Sequence, residues 1–220
     1  RAYLQLPWVI GAVTLLELGM INVLLARLFS IKRLMLQFLL VITVVTFPSV
    51  ISFHNFGAVD LFTGSLLFSV LAVYLFQKSG LWSFLGSIVC LIISIASYQA
   101  FVCTASVLML LVLLNRLIIG PTSVKAVLLS CLKAFVIIVF SIIVYYITFR
   151  LLVSATDYTV TTYRNQDEMG VFSVGQLLQL VKASYKTVLR YYISAGLNPL
   201  PIWISVLQLF AVALVTVFLF

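Results

Sequence analysis

The sequence predicts an all-α, polytopic transmembrane helix bundle with about seven spans, and two observations carry this prediction. Hydrophobic residues make up 64% of the 220 residues and charged residues only 8%, and the mean hydropathy is +1.27. Soluble domains are about 45–50% apolar and about 25% charged, so the composition excludes an ordinary soluble enzyme. The apolar residues also form runs of about 20 residues, the length that an α-helix needs to cross a bilayer.

The apolar runs divide the chain into three parts. We expect spans at residues 7–28, 34–52, 60–77, 81–97, 100–119, 126–149 and 201–220. Residues 1–149 then form the main transmembrane bundle, residues 150–200 form the one long polar segment, and residues 201–220 form a final span. The first residue is arginine rather than methionine, so we expect the chain to be part of a longer protein.

Basic residues occur in alternate turns between the predicted spans, which predicts the orientation of the bundle. These residues are Arg27, Lys32, Arg33, Lys78, Arg116 and Lys125. The turns around His54–Asp60 and Ser97–Gln99 contain no lysine or arginine. Because cytoplasmic loops carry an excess of lysine and arginine, we expect the basic turns to be cytoplasmic and the other turns, with the 150–200 segment, to face outward.

The same distribution limits the possible partners and cofactors. The net charge of +8 is spread over span ends, where membrane orientation explains it, so we expect no nucleic-acid partner. The three cysteines, Cys90, Cys103 and Cys131, lie in predicted spans without a metal-binding spacing. The chain also lacks a glycine-rich nucleotide loop and the HExxH and GxSxG motifs. We therefore expect neither a metal nor another cofactor.

Residues 174–192 of the polar segment have the pattern of an amphipathic helix. Ser173–Gln176 forms a capping box, after which apolar residues and basic residues fall on different faces. A helix with a basic polar face commonly lies in the membrane surface. The alternative is that this helix covers the outer ends of the bundle.

Few residues are suited to chemistry. His54 and Asp60 share an outward turn, and a histidine or a carboxylate can remove a proton from an attacking hydroxyl, although Asp60 also suits a helix N-cap. Arg164 can hold a phosphate in a bidentate way. Glu17 lies near the centre of the first span, where an ionisable residue is costly and a functional candidate. A structural partner for Glu17, such as Lys133 on another span, is an equally good explanation.

Four stretches, taken in order, resemble one known family. The second span ends in TFPSVISFHNFGAVD, the third ends in AVYLFQK, and SIASYQAF and TTYRNQDEMGVFS follow. They are similar to the GtrII-type glucosyltransferases of bacterial serotype conversion, which are membrane-embedded enzymes that modify the O-antigen of lipopolysaccharide. The resemblance covers most of the chain, and its most recognisable piece is Ser97-Tyr98-Gln99-Ala100.

The resemblance implies a glycosyltransferase of the C superfamily in the bacterial inner membrane, with its active site facing the periplasm. The implied donor is a polyprenyl-phosphate sugar, glucose, and the acceptor is a surface polysaccharide or a lipid-linked glycan. Membrane lipids, a donor synthase and a flippase are the further implied partners. The family's principal base, an acidic residue of the first outward loop, is expected upstream of Arg1. Within this chain, Asp60 and His54 are the catalytic candidates, and the implied substrate contacts are Arg1, Tyr98, Gln99, Arg150, Tyr163 and Arg164.

Two other functions fit a chain of this kind. A transporter or flippase subunit would be expected to have paired charges inside the membrane and an inverted repeat, and the sequence has only Glu17 clearly deep and no evident repeat. A polysaccharide polymerase is also an outward-acting glycan enzyme, and the sequence barely separates it from a transferase.

Overall fold

The computed structural model describes residues 7–46, 59–119, 123–156, 179, 181–187 and 210. These residues are helical or lie in turns, and none of them is in a strand. The chain divides into two compact units, residues 1–156 and residues 157–220. The predicted all-α class is confirmed for the part of the chain that the structure describes.

The first unit contains six described helices. They are α1 (Pro7–Leu28), α2 (Leu34–Val45), α3 (Val59–Gln77), α4 (Leu81–Ser97), α5 (Phe101–Ile119) and α6 (Val124–Thr156). The bounds of α1, α3, α4 and α5 agree with the predicted spans to within one residue. By contrast, α2 ends at Val45 and not at the predicted residue 52, although residues 47–52 lie outside the described residues, and α6 continues beyond residue 149. Residues 150–156, which the sequence pattern assigns to the start of the outer polar segment, are helical, because Leu151, Leu152 and Val153 continue the apolar helix.

Four of these helices are long and apolar enough to cross a membrane. The stretches that meet both criteria are Trp8–Leu28, Val59–Gln77, Phe101–Ile118 and Lys125–Thr156. The helices α2 and α4 are also apolar, but their described lengths are only 12 and 17 residues, below the usual length of about 20 residues. The total of about seven spans stays a prediction.

The second unit is described only at residues 179, 181–187 and 210, all of which are helical. Residues 181–187 fall inside the predicted amphipathic helix, and Thr187 Oγ1 donates a hydrogen bond of 2.9 Å to the Ala183 carbonyl, as in a regular helix turn. Val181 and Tyr185 are 46% and 70% exposed. The predicted span at 201–220 lies outside the described residues except for Phe210.

Buried serines join α3 to α4. Ser69 and Ser94 share a hydrogen bond of 2.8 Å between their hydroxyls, Ser94 Oγ donates to the Ser65 carbonyl at 2.9 Å, and Ser65 Oγ donates to the Ser94 carbonyl at 2.8 Å. All three side chains are almost fully buried. Small residues allow helices in a membrane to approach closely, and their hydroxyls add hydrogen bonds between the helices. This network fixes α3 and α4 as an antiparallel pair.

Two cations cover the C-terminal end of α3. Arg116 of α5 donates from Nη2 to the Gln77 carbonyl at 3.3 Å. Lys133 of α6 donates from Nζ to the Phe76 carbonyl at 3.1 Å and to the Lys78 carbonyl at 3.4 Å. The last carbonyls of a helix have no partner within the helix and carry a partial negative charge, so both contacts are favourable. They bring α5 and α6 to one end of α3.

The first unit therefore has a distinct basic end. It contains Arg27, Lys32, Arg33, Lys78, Arg116, Lys125 and Lys133, all near the end of α3 that Arg116 and Lys133 cover. Gln77 Nε2 donates to the Leu28 carbonyl at 3.4 Å, which places the end of α1 beside the end of α3. We call this group of residues the basic end. Among the described residues of the first unit, Arg150 is the one basic residue that lies far from it.

The serine network leads to a prediction about stability. We expect Ser94→Leu to destabilise the protein by about 1–3 kcal/mol, because the larger side chain overpacks the interface between α3 and α4 and removes the hydrogen bonds of the Ser94 hydroxyl to Ser65 and Ser69. Ser97→Leu is the matched control, since Ser97 is exposed and, among the described residues, its hydroxyl bonds only to the Ile93 carbonyl of its own helix. Denaturation of both purified variants in detergent checks the prediction. Equal loss of stability in the two variants would contradict it.

Candidate functional site

Aromatic side chains gather at the end of the first unit opposite the basic end. Tyr98 lies in the short turn between α4 and α5 and makes edge-to-face contacts with Phe62, at 4.8 Å between ring centroids, and with Phe101, at 5.5 Å. The Ser65 hydroxyl also lies 3.5 Å from the Tyr98 carbonyl. The turn thus packs onto the first two turns of α3. We use the name aromatic end for the region formed by these three aromatic residues and the aromatic residues of α6 beside them, which are Tyr145, Tyr146 and Phe149.

Gln99 connects this turn to α6. Its amide nitrogen donates a hydrogen bond of 3.0 Å to the hydroxyl of Tyr145, and the Tyr145 ring stacks on Phe149 one turn later, at 6.1 Å between centroids. Gln99 itself is exposed. Gln99 therefore joins the exposed turn to an aromatic wall on α6.

Arg150 supplies a positive charge at the aromatic end. Its Nε donates to the Tyr146 hydroxyl at 3.0 Å, and its guanidinium lies 5.5 Å from the centroid of the same ring. The spacing of four residues places both side chains on one face of α6. Because Arg150 is exposed and one edge of its guanidinium contacts a ring that carries no charge, the remaining N–H groups can bind an anion.

Asp60 lies in the first turn of α3 at this same end. It is half-buried and comes two residues before Phe62, whose ring contacts Tyr98. A carboxylate in the first turn of a helix is stabilised by the helix dipole. The N-cap role predicted as the alternative for Asp60 does not match its position, since the helix is already formed at Val59.

Glu17 of α1 contacts α3 one helical turn after Asp60. Its Oε2 accepts a hydrogen bond from the Thr63 hydroxyl, and a Cβ atom built on Gly64 would lie 3.1 Å from its Oε1. The glycine therefore allows the carboxylate to approach the α3 backbone. Lys133, the partner suggested by the sequence, bonds instead to carbonyls at the basic end, so the alternative of a Glu17–Lys133 pair is wrong.

Thr14 borders the same carboxylate on α1. It precedes Glu17 by three residues, which places the two side chains on the same face of the helix. Thr14 is 3% exposed, and its hydroxyl oxygen has no hydrogen-bond partner among the described residues. The interface between α1 and α3 thus contains the Glu17 carboxylate and, among the described residues, the unpaired Thr14 hydroxyl, next to the aromatic end. Within the described ranges, no group of three His, Cys, Asp or Glu side chains could hold a metal ion.

The structure brings four of the predicted site residues to one end of the first unit: Asp60, Tyr98, Gln99 and Arg150. Four others lie outside the described residues: Arg1, His54, Tyr163 and Arg164. The sequence reasoning missed the aromatic partners on α6, which are Tyr145, Tyr146 and Phe149. The pattern YYITFR at 145–150 contained a signal for them, since it places Tyr146 and Arg150 four residues apart.

Comparison with known proteins gives a family match over nearly the whole chain. The family model described as Glucosyl transferase GtrII matches residues 2–220. No curated protein matches the chain, and no solved structure matches it.

The contact between Glu17 and Thr63 predicts a measurable coupling. In a double-mutant cycle of Glu17→Gln and Thr63→Val, we expect a coupling free energy of about 1 kcal/mol, because the two side chains share a hydrogen bond between helices. The measurement is the free energy of unfolding of the purified variants in detergent.

A matched control uses Thr43→Val in place of Thr63→Val. The Thr43 hydroxyl bonds at 2.8 Å to the Leu39 carbonyl of its own helix, so its effect should add to that of Glu17→Gln. Coupling of the same size in both cycles would show that Glu17 has no specific bond to Thr63.

Proposed function

The chain belongs to the GtrII glucosyl transferase family, and from this premise we propose that it transfers glucose from a polyprenyl-phosphate donor to a glycan at the aromatic end. The acceptor is a surface polysaccharide or a lipid-linked glycan. The proposal rests chiefly on one observation: Asp60, Tyr98, Gln99 and Arg150 lie at the same end of a membrane-embedded bundle, opposite the basic end.

The proposed reaction is a direct displacement at the anomeric carbon of the donor sugar. The acceptor hydroxyl oxygen attacks this carbon, the bond from the carbon to the phosphate oxygen breaks, and the lipid phosphate leaves with the bonding electrons. The resemblance places the family's principal base upstream of Arg1, but Asp60 is the carboxylate that the structure describes at the aromatic end. We propose Asp60 as the general base that takes the proton of the attacking hydroxyl. Arg150 stabilises the negative charge on the departing phosphate.

The rings and the amide of the aromatic end suit a sugar. Tyr98, which is 39% exposed, offers part of its ring to the apolar face of a pyranose while Phe62 and Phe101 hold it in place. The amide carbonyl of Gln99 can accept a hydrogen bond from a sugar hydroxyl, since its nitrogen already donates to Tyr145. A small number of polar groups beside apolar walls is typical of small-molecule sites.

The orientation of the bundle supports a reaction on the outer face. Basic residues mark the cytoplasmic side of membrane proteins, and seven of them form the basic end. We therefore propose that the aromatic end faces the periplasm in a bacterial inner membrane. A donor synthase and a flippase would then make the lipid-linked sugar and move it to that face. Tyr146 and Phe149, both exposed, lie where aromatic residues commonly meet the membrane interface.

The activity itself is tested with membranes that contain the full-length protein. We expect labelled glucose to pass from a polyprenyl-phosphate donor to the glycan acceptor, one residue at a time, and no transfer from a sugar nucleotide alone. Transfer from the nucleotide in the absence of lipid carrier would contradict the proposed donor. Products that grow by whole repeat units would identify a polymerase instead.

Variants of the aromatic end test the proposed site. We expect Asp60→Asn to lower the transfer rate by about 100-fold or more, because a general base contributes about 10²–10⁴-fold, and Asp60→Glu to recover part of it. Gln99→Ala should weaken acceptor or donor binding by about 10-fold, the value of one neutral hydrogen bond.

The control for Gln99→Ala is Gln77→Ala, the same substitution at the basic end, which should leave the transfer rate unchanged. Wild-type activity in both Asp60→Asn and Gln99→Ala would remove the aromatic end as the reaction site. It would leave the activity of the protein itself in place.

A further inference from the structure

A cavity of about 410 Å³ lies between α1 and α2 at the basic end, far from the proposed reaction site. This volume falls within the range of about 300–1,000 Å³ that is usual for ligand pockets. Its lining includes Asn22, Val23, Arg27, Lys32, Leu40 and Val41. Arg27, Ser30 and Lys32 line it at or near the turn, and Val23, Leu40 and Val41 line it further along the two helices, as does the polar Asn22.

The turn that holds the two cations is fixed by its own hydrogen bonds. The Ile31 N–H donates to the Ala26 carbonyl at 2.8 Å, and Ser30 has a φ of 54°, which together form the Schellman ending of α1. The side-chain amide of Gln37 donates to the Ile31 carbonyl at 2.8 Å and joins the turn to α2. Arg27 and Lys32 therefore extend from a well-determined backbone.

No described residue neutralises the positive charges of this cavity. The side chains of Arg27 and Lys32 are exposed, and neither forms an ion pair or hydrogen bond with any residue in the described part of the chain. Asn22, which is 6% exposed, donates to the Leu18 carbonyl at 2.8 Å, while its amide oxygen has no partner among the described residues. The cavity thus offers two cations and one acceptor.

The apolar wall of the cavity continues toward the membrane interior. Val23 and Val41 are 53% and 41% exposed, and α2 has no buried residue along its described length. In an apolar helix of a membrane protein, such exposed aliphatic side chains face lipid tails. A soluble anion would contact the cations and leave this wall unused, whereas a lipid would use both.

We propose that this cavity binds an anionic diacyl phospholipid, with the headgroup phosphate between Arg27 and Lys32 and an acyl chain along Val23, Leu40 and Val41. Basic pockets at the ends of transmembrane helices are typical sites for acidic headgroups. The inference does not depend on the proposed transferase activity. Phosphatidylglycerol is the probe that matches it, since its headgroup carries one negative charge and hydroxyl groups.

The experiment is native mass spectrometry of the purified full chain in a neutral detergent. We expect phosphatidylglycerol to stay bound at concentrations at which phosphatidylethanolamine, which has no net charge, is lost. The variant Arg27→Gln/Lys32→Gln should lower the retention of phosphatidylglycerol by about 25-fold, since each cation near an acidic headgroup contributes about 5-fold. Equal retention of the two lipids by the wild type would overturn the proposal.

Two further variants distinguish specific lipid binding in the cavity from nonspecific attraction to the positive charge of the basic end. Arg33→Gln removes a charge from the same turn at a residue that does not line the cavity, and it should retain the lipid. Val41→Trp keeps every charge but fills the apolar part of the cavity, and it should lose the lipid while its thermal unfolding in lipid-free detergent stays close to that of the wild type.

Three results would each contradict the assignment. The first is that Arg33→Gln loses phosphatidylglycerol to the same extent as the double variant. The second is that Val41→Trp retains phosphatidylglycerol fully, and the third is that millimolar inorganic phosphate displaces phosphatidylglycerol. Stronger binding of polyprenyl phosphate than of phosphatidylglycerol would assign the cavity to the lipid carrier and would also overturn the proposal.

Discussion

Hydrogen bonds and close contacts made by α3 determine how the first unit is assembled. In a bilayer, lipid tails are as apolar as leucine, so helices associate through packing and polar contacts rather than through the hydrophobic effect. On α3, Thr63 bonds to α1, Ser69 bonds to α4, and the terminal carbonyls accept bonds from Arg116 and Lys133. Each contact joins a different helix to α3, and the C-terminal contacts satisfy carbonyls that would otherwise lack partners.

The different chemistry of the two ends follows from this arrangement. Because α3 and α4 are antiparallel, the start of α3 and the end of α4 lie together, and Tyr98 packs against Phe62. The same antiparallel order gathers lysines and arginines at the other end. One end therefore offers rings, an amide and a carboxylate, and the other offers positive charge. The first combination suits a sugar and the second suits acidic lipid headgroups, which is why we assign transfer and lipid binding to opposite ends.

Much of the fold could be predicted from the sequence, because apolar runs and their breaks depend on local composition. Whereas the predicted end of α2 at residue 52 did not match its end at Val45, the bounds of α1 and α4, and those of α3 and α5 to within one residue, followed from these runs. The end of α6 did not, because an arginine at 150 was taken as a boundary although the apolar pattern continues past it. The partner of Glu17 could not be predicted either, since it depends on which helix faces α1, and no periodicity in one helix specifies its neighbour. Family membership was recognised from the order of several stretches rather than from one motif.

The central claim is that the aromatic end and the basic end lie on opposite sides of the membrane, with the aromatic end outside. The direct measurement is thiol labelling of intact spheroplasts with a membrane-impermeant maleimide. The three cysteines of the chain are first replaced, and a single new cysteine is then introduced as either Ser97→Cys or Lys78→Cys. Both side chains are exposed. The account predicts labelling at position 97 in intact cells and at position 78 only after permeabilisation. The reverse pattern, or labelling of both positions in intact cells, would contradict it.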